Sequence, residues 1–226
     1  GVTPGAFGLT LRNEATANPA VPAPGAVTVT GAGMTYTVTA PTGANGELAL
    51  VITNPAAIVD HVGNAMVMTG GAPTSETYLV DKTAPPTVTD SSSGGTQWTN
   101  DVNQAAAVIT ITATDNNPPG RSGIGQIWYA ASDTWTTGDP IPAYQQSTNV
   151  TELAAQPGTS TGTFSVPYSD PGNWRIWYYA VDRAGNVSAV QTATFGLRLD
   201  TTPPVLAITS PADGTRVSSS GVRYAG

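Results

Sequence analysis

The stretch Trp174-Arg175-Ile176-Trp177-Tyr178-Tyr179-Ala180-Val181-Asp182-Arg183-Ala184-Gly185-Asn186 decides the fold. Successive side chains of a strand point to opposite faces. Trp174, Ile176, Tyr178 and Ala180 therefore share one face, and Trp177, Tyr179 and Val181 the other. Apolar residues on both faces predict a central strand covered on each side. The run then breaks at Asp-x-x-Gly-Asn. Asx side chains bond their own backbone in turns, and glycine supplies positive φ.

Outward from this strand the apolar period stays at two. Phe7, Leu9 and Leu11 alternate, as do Val27 and Val29, then Met34, Tyr36 and Val38. Gly31-Ala32-Gly33 lies between the last two runs and reads as a three-residue hairpin connection. Leu48, Leu50 and Ile52 continue the pattern, followed by Ile109 with Ile111 and Phe164 with Val166. Thr and Val dominate these runs, and β-branching favours a pleated surface. Only 51–57 and 149–155 offer helical turns. The fold class is all-β, in sandwiches of short antiparallel strands.

The loop recurs. Ile58-Val59-Asp60-His61-Val62-Gly63-Asn64 matches Ala180-Val181-Asp182-Arg183-Ala184-Gly185-Asn186. Each copy is followed by a strand and then by a second echo. These are Asp81-Lys82-Thr83-Ala84-Pro85-Pro86 and Asp200-Thr201-Thr202-Pro203-Pro204. Prolines fix φ and remove N–H donors, so these segments read as stiff junctions between domains.

Paired Asp-x-x-Gly-Asn loops with Pro-Pro junctions resemble tandem bacterial immunoglobulin-like (fibronectin type III-like) domains. Ala113-Thr114-Asp115 followed by Ser122-Gly123-Ile124 fits the same pattern, as does Val29 to Val38. The resemblance implies cell-surface proteins, adhesins, extracellular filaments or secreted multidomain enzymes. Its register divides the chain into three parts. Residues 1–81 form an immunoglobulin-like domain lacking its opening strands. Residues 82–203 form a complete one with a long, loop-like insertion near 131–160. Residues 204–226 hold the opening strand of a further domain, or a donor-strand-like tail. Either the chain is a window of a longer one, or copies associate through Val205, Leu206, Ala207 and Ile208. The chain has no initiating Met and no signal peptide, which suits a processed or excised piece.

Composition narrows the function. The 226 residues carry a net charge of −7 with eight basic residues, a poor match for nucleic acid. No apolar stretch approaches a membrane span. With no Cys there is neither a disulfide framework nor a thiolate metal site. Lys82 and His61 are the only residues of their kinds, which leaves few general bases, so no catalytic residues are expected.

Two kinds of site remain. Asp60 with Asn64, and Asp182 with Asn186, place oxygens around a turn, and Asp81, Asp115 and Asp200 lie near loops or junctions. Oxygen donors of this sort suit calcium, the one cofactor expected. Resemblance to large adhesins, some of which bind calcium near domain junctions, implies the same. The competing reading is turn capping alone. Aromatics crowd residues 98–179. Trp128 is expected in the core, while Trp135 sits in a polar loop as the candidate for stacking on a sugar. The expected function is a non-catalytic, secreted or cell-surface array, a stalk or filament subunit. Its partners are copies of itself or further domains. The alternative is a carbohydrate- or receptor-binding module.

Overall fold

A computed structural model describes residues 1–12, 25–70, 76–92, 95–99, 106–116, 121–154, 156, 158–167 and 172–206. In chain order the strands are β1 (Phe7–Arg12), β2 (Thr28–Ala32), β3 (Thr35–Thr39), β4 (Gly46–Ile52) and β5 (Thr77–Val80). Then come β6 (Thr87–Asp90), β7 (Thr96–Thr99), β8 (Ala106–Thr114), β9 (Ile124–Ser132) and β10 (Gln145–Gln146). The last four are β11 (Thr148–Glu152), β12 (Thr159–Pro167), β13 (Gly172–Asp182) and β14 (Gln191–Leu199). The protein is all-β. Its sheets run β10-β9-β13-β14-β7, β11-β12-β8-β6, β1-β4-β5 and the hairpin β2-β3. Pairing is antiparallel except between β7 and β14, which run parallel.

The five- and four-stranded sheets share one core. Alternation along β8 buries Ala107, Ile109, Ile111 and Ala113, which meet Ile176, Tyr178 and Ala180 of β13. β13 lies between β9 and β14, as its two apolar faces require. Its second face is closed by the loop at 133–144. Trp135 of that loop meets Trp177 edge-on at 5.2 Å, and Tyr144 meets Tyr179 at 5.0 Å. Trp177 is buried as a result.

Three expectations change. Trp128 is half-buried on this outer face, its ring nearly parallel to that of Tyr179 at 6.3 Å. Ile127, its neighbour of opposite parity, takes the core position. Residues 149–155 begin as strand β11 rather than a helical turn. Asn149 adopts φ 55°, where the β11–β12 register shifts, so its departure from extended backbone is a bulge. The β2–β3 connection is two residues long, with Met34 fully exposed at its tip instead of starting a strand. Of the stretch 131–160, residues 133–144 are loop, and strands occupy the end of β9, β10, β11 and the first two residues of β12. The other helical candidate, 51–57, yields a 3-10 turn at Pro55–Ala57.

The sheet β1-β4-β5 has a much smaller core, Leu48 and Val80 with Leu9 against them. Its plan repeats that of the sandwich. β4 lies between β1 and β5 as β13 lies between β9 and β14, and a repeat loop follows each central strand. The two loops share most of their bonds, though Val62 N donates to Asp60 Oδ1 where Ala184 N donates to Ser122 Oγ. Asp60 N donates to Asn64 O at 2.9 Å, and Asp182 N to Asn186 O at 3.1 Å. Gly63 and Gly185 sit at φ 96° and 93°, a conformation that favours glycine at this turn.

Candidate metal centre at the junction

Three strand ends deliver three carboxylates to one place. Asp81 follows β5 directly, Asp115 follows β8, and Asp182 ends β13. One carboxylate oxygen from each lies within 4.8 Å of the others, and all three residues are buried. Each carboxylate is oriented by backbone donors. Asp81 accepts from Thr83 N through Oδ1 at 3.0 Å, the turn that its Asp-x-Thr motif encodes. Its Oδ2 accepts from Ser122 N at 2.8 Å. Asp115 accepts from Gly123 N through Oδ2 at 2.7 Å. Asp182 accepts from Asn186 N at 2.8 Å and Asn186 Nδ2 at 2.7 Å. The same Nδ2 lies 3.1 Å from the carbonyl of Asp81, tying the loop to the junction.

The charge of the cluster is uncompensated by these donors. Among the described residues the one ion pair is Arg183 with Glu152, at 3.2 Å, and it bypasses the three aspartates. Asp115 is 1% exposed, and its Oδ1 has no hydrogen-bond partner. Burial pushes its carboxyl above the usual carboxylate range, and the charges of Asp81 and Asp182 push it further. The bond from Gly123 N acts the other way. A buried, undonated carboxylate oxygen beside two other carboxylates is costly unless something positive completes it. The set is all oxygen, with no imidazole or thiolate, which fits a hard cation.

The remaining candidate ligands lie elsewhere. Asp60 and Asn64 close the first repeat loop in the open, and the hydrogen bond from the Asn64 side chain holds the Asp60 carboxyl low. Asp200 is exposed and accepts from Thr202 N at 2.9 Å, the same turn as Asp81 and Thr83 without the carboxylate neighbours. Asn186 supports Asp182 through its amide. Ser122 and Gly123, whose N–H groups orient Asp81 and Asp115, were legible only as part of the Ser-Gly-Ile motif.

Trp135 is half-buried. Its Nε1 donates to Asp139 O at 2.9 Å, and the Arg175 guanidinium lies 4.5 Å from its ring centre. Loop, arginine and Trp177 thus hold it in place, a role for Arg175 that its charge alone did not suggest. His61 is exposed at the tip of its loop. Val205 and Leu206 are 94% and 90% exposed, and Ala207 and Ile208 lie outside the described residues.

No family model and no curated protein matches the chain. Among solved structures it is similar to fibronectin(III)-like modules of Clostridium thermocellum CbhA, at 13% identity, covering 91% of this chain and 85% of that one, with a TM-score of 0.34. It is also similar to a variant of the SrpA adhesin of Streptococcus sanguinis, at 19% identity and a TM-score of 0.30. That match covers 54% of this chain and 61% of the adhesin's. At such scores the all-β assignment rests on the strands of this chain itself.

Proposed function

We propose that this chain is a non-catalytic structural or adhesive segment outside the cell, a stalk or filament element, whose inter-unit junction is stiffened by calcium. Residues 1–81, 82–203 and 204–226 are its successive units. The observation that carries this reading is the Asp81–Asp115–Asp182 cluster with its undonated Asp115 Oδ1. Asp81 belongs to the first unit's end, while Asp115 and Asp182 belong to the sandwich. A cation held by all three would restrict the hinge at the Pro85-Pro86 segment. The residues that would hold it are these three aspartates, oriented by Thr83, Ser122, Gly123 and Asn186. Bound calcium would supply the positive charge that the three carboxylates lack. Weak, oxygen-only ligation suits calcium at the millimolar levels outside cells.

Thermal melting in calcium and in chelator tests this. A stabilisation of about 2.7 kcal/mol at a hundredfold excess over Kd corresponds to a rise of about 5–10 °C for a chain of this size. Coincident melts in the two buffers would count against the clamp.

A second reading, a carbohydrate- or receptor-binding module, is favoured by one observation. The outer face of the five-stranded sheet carries Trp128, Tyr179 and Tyr144 half-buried, with Trp135 beside them. Glycan-array binding that Trp135→Ala abolishes while the sandwich stays folded by circular dichroism would support it.

A further inference from the structure

The sandwich and the first sheet differ in one consequential respect. β7 lies alongside the last four residues of β14, Gly196 to Leu199, immediately before Asp200. The corresponding positions in the first unit are β5, Thr77 to Val80, immediately before Asp81. Among the described residues β5 pairs with β4 alone, so its outer edge carries no strand. Beside it runs a groove of about 560 Å³, lined by Leu9, Val38, Leu48, Leu50, Tyr78 and Val80. The groove lies between the first sheet and the β2-β3 hairpin. In the sandwich, the matching space between sheets is filled by β6 and β8, and Val88 of β6 is buried there.

The chain also contains a segment with the complementary defect. Val205-Leu206-Ala207-Ile208 follows Pro203-Pro204 as β6 follows Pro85-Pro86. Val88 is 8% exposed, yet its counterpart Leu206 is 90% exposed, and Val205 is 94% exposed. An apolar segment that begins uncovered, at Val205 and Leu206, and a groove without a strand thus occur in one molecule.

We infer that the groove and the open edge of β5 receive residues 204–226 of a second copy, with Leu206 entering the groove as Val88 enters the sandwich core, and the residues after it running parallel to β5 as β7 does to β14. Main-chain bonds would satisfy the edge, and the side chain of Leu206, the counterpart of Val88, would fill the groove. The contact joins different surfaces of the two copies, so it propagates head to tail, as a filament unless its rotation closes a ring. This inference rests on the structural reading above and gives it a means of extension.

The absence of Cys makes cross-linking a clean test in the full-length chain. Tyr78 and Leu206 are both exposed, so Tyr78→Cys with Leu206→Cys leaves each fold intact. Under oxidation the double variant is expected to give a ladder of dimers, trimers and longer species. Each single variant is expected to give dimers at most. Met34→Cys with Leu206→Cys, placed on the exposed hairpin tip, serves as the control. Sedimentation of the cysteine-free chain provides the second measurement, with Leu206→Asp weakening self-association by about tenfold or more. A double variant that stays monomeric, a control that ladders equally, or self-association unchanged by Leu206→Asp would overturn the inference. The calcium melt is run on the same proteins. A preserved calcium shift without a ladder removes the strand addition and leaves the clamped junction standing.

Discussion

Asp115 buries a carboxylate oxygen with no donor beside two further carboxylates, and the energetic sign of that placement follows from its raised pKa. Replacing it with Asn removes one negative charge while keeping the shape. Asp115→Asn is expected to raise the melting temperature of the metal-free chain and to abolish the calcium shift. Asp60→Asn, in the matching but solitary loop, is expected to leave the calcium shift intact. Tyr178 carries a second residue-scale prediction. Its hydroxyl donates to Asp90 Oδ2 at 2.7 Å from within the core. Burial, and then the Asp90 carboxylate, push its pKa well above the tyrosine range. The folded state therefore keeps a proton that the unfolded chain releases near pH 10. The associated stability is full below about pH 10 and is lost as pH rises beyond it. Tyr178→Phe should cost about 1–2 kcal/mol in denaturant unfolding at neutral pH. The same change should flatten the decline above pH 10.

At the level of elements, the positions of strands and loops were legible where the chemistry was local. The two-faced pattern of β13 and the Asp-x-x-Gly-Asn loops need only neighbours in sequence. What depends on distant partners was not legible. The five aspartates and two asparagines offered as calcium ligands could not be ranked by residue type and spacing, but among the described residues only Asp81, Asp115 and Asp182 lie at strand ends that converge. Trp128 looked like core because alternation cannot tell which face a second sheet covers and which a loop covers. Asn149 looked helical because a bulge interrupts the strand period locally. Gly158 shows the same dependence on distant contacts. It sits at φ 82°, and its N–H donates to Glu152. A Cβ there would run into the carbonyl oxygen of Asp115. Gly158→Ala is expected to cost about 2 kcal/mol or more, through positive φ and this clash together. It should also weaken calcium binding by displacing Asp115. A melt that does not change would contradict both the turn geometry and its coupling to the site.

Across the whole molecule, stability is unevenly distributed. The sandwich packs fourteen buried residues into one core, while the first sheet buries Leu48 and Val80. Few buried apolar contacts mean low local opening energy. Amide exchange is therefore expected to be faster in β4 than in β13 by orders of magnitude, although both are central strands. Calcium should slow exchange around Asp81 and the end of β5 most, because there the first sheet is tied to the sandwich. The net charge of −7 adds self-repulsion between copies, which disfavours nonspecific association. The central claim is that a divalent cation locks the junction through three buried aspartates. Isothermal titration of calcium into the chelator-treated chain tests it most directly. One site per chain is expected, lost in Asp115→Asn and retained in Asp60→Asn. No binding heat and no melting shift at millimolar calcium, or binding that survives Asp115→Asn, would contradict it.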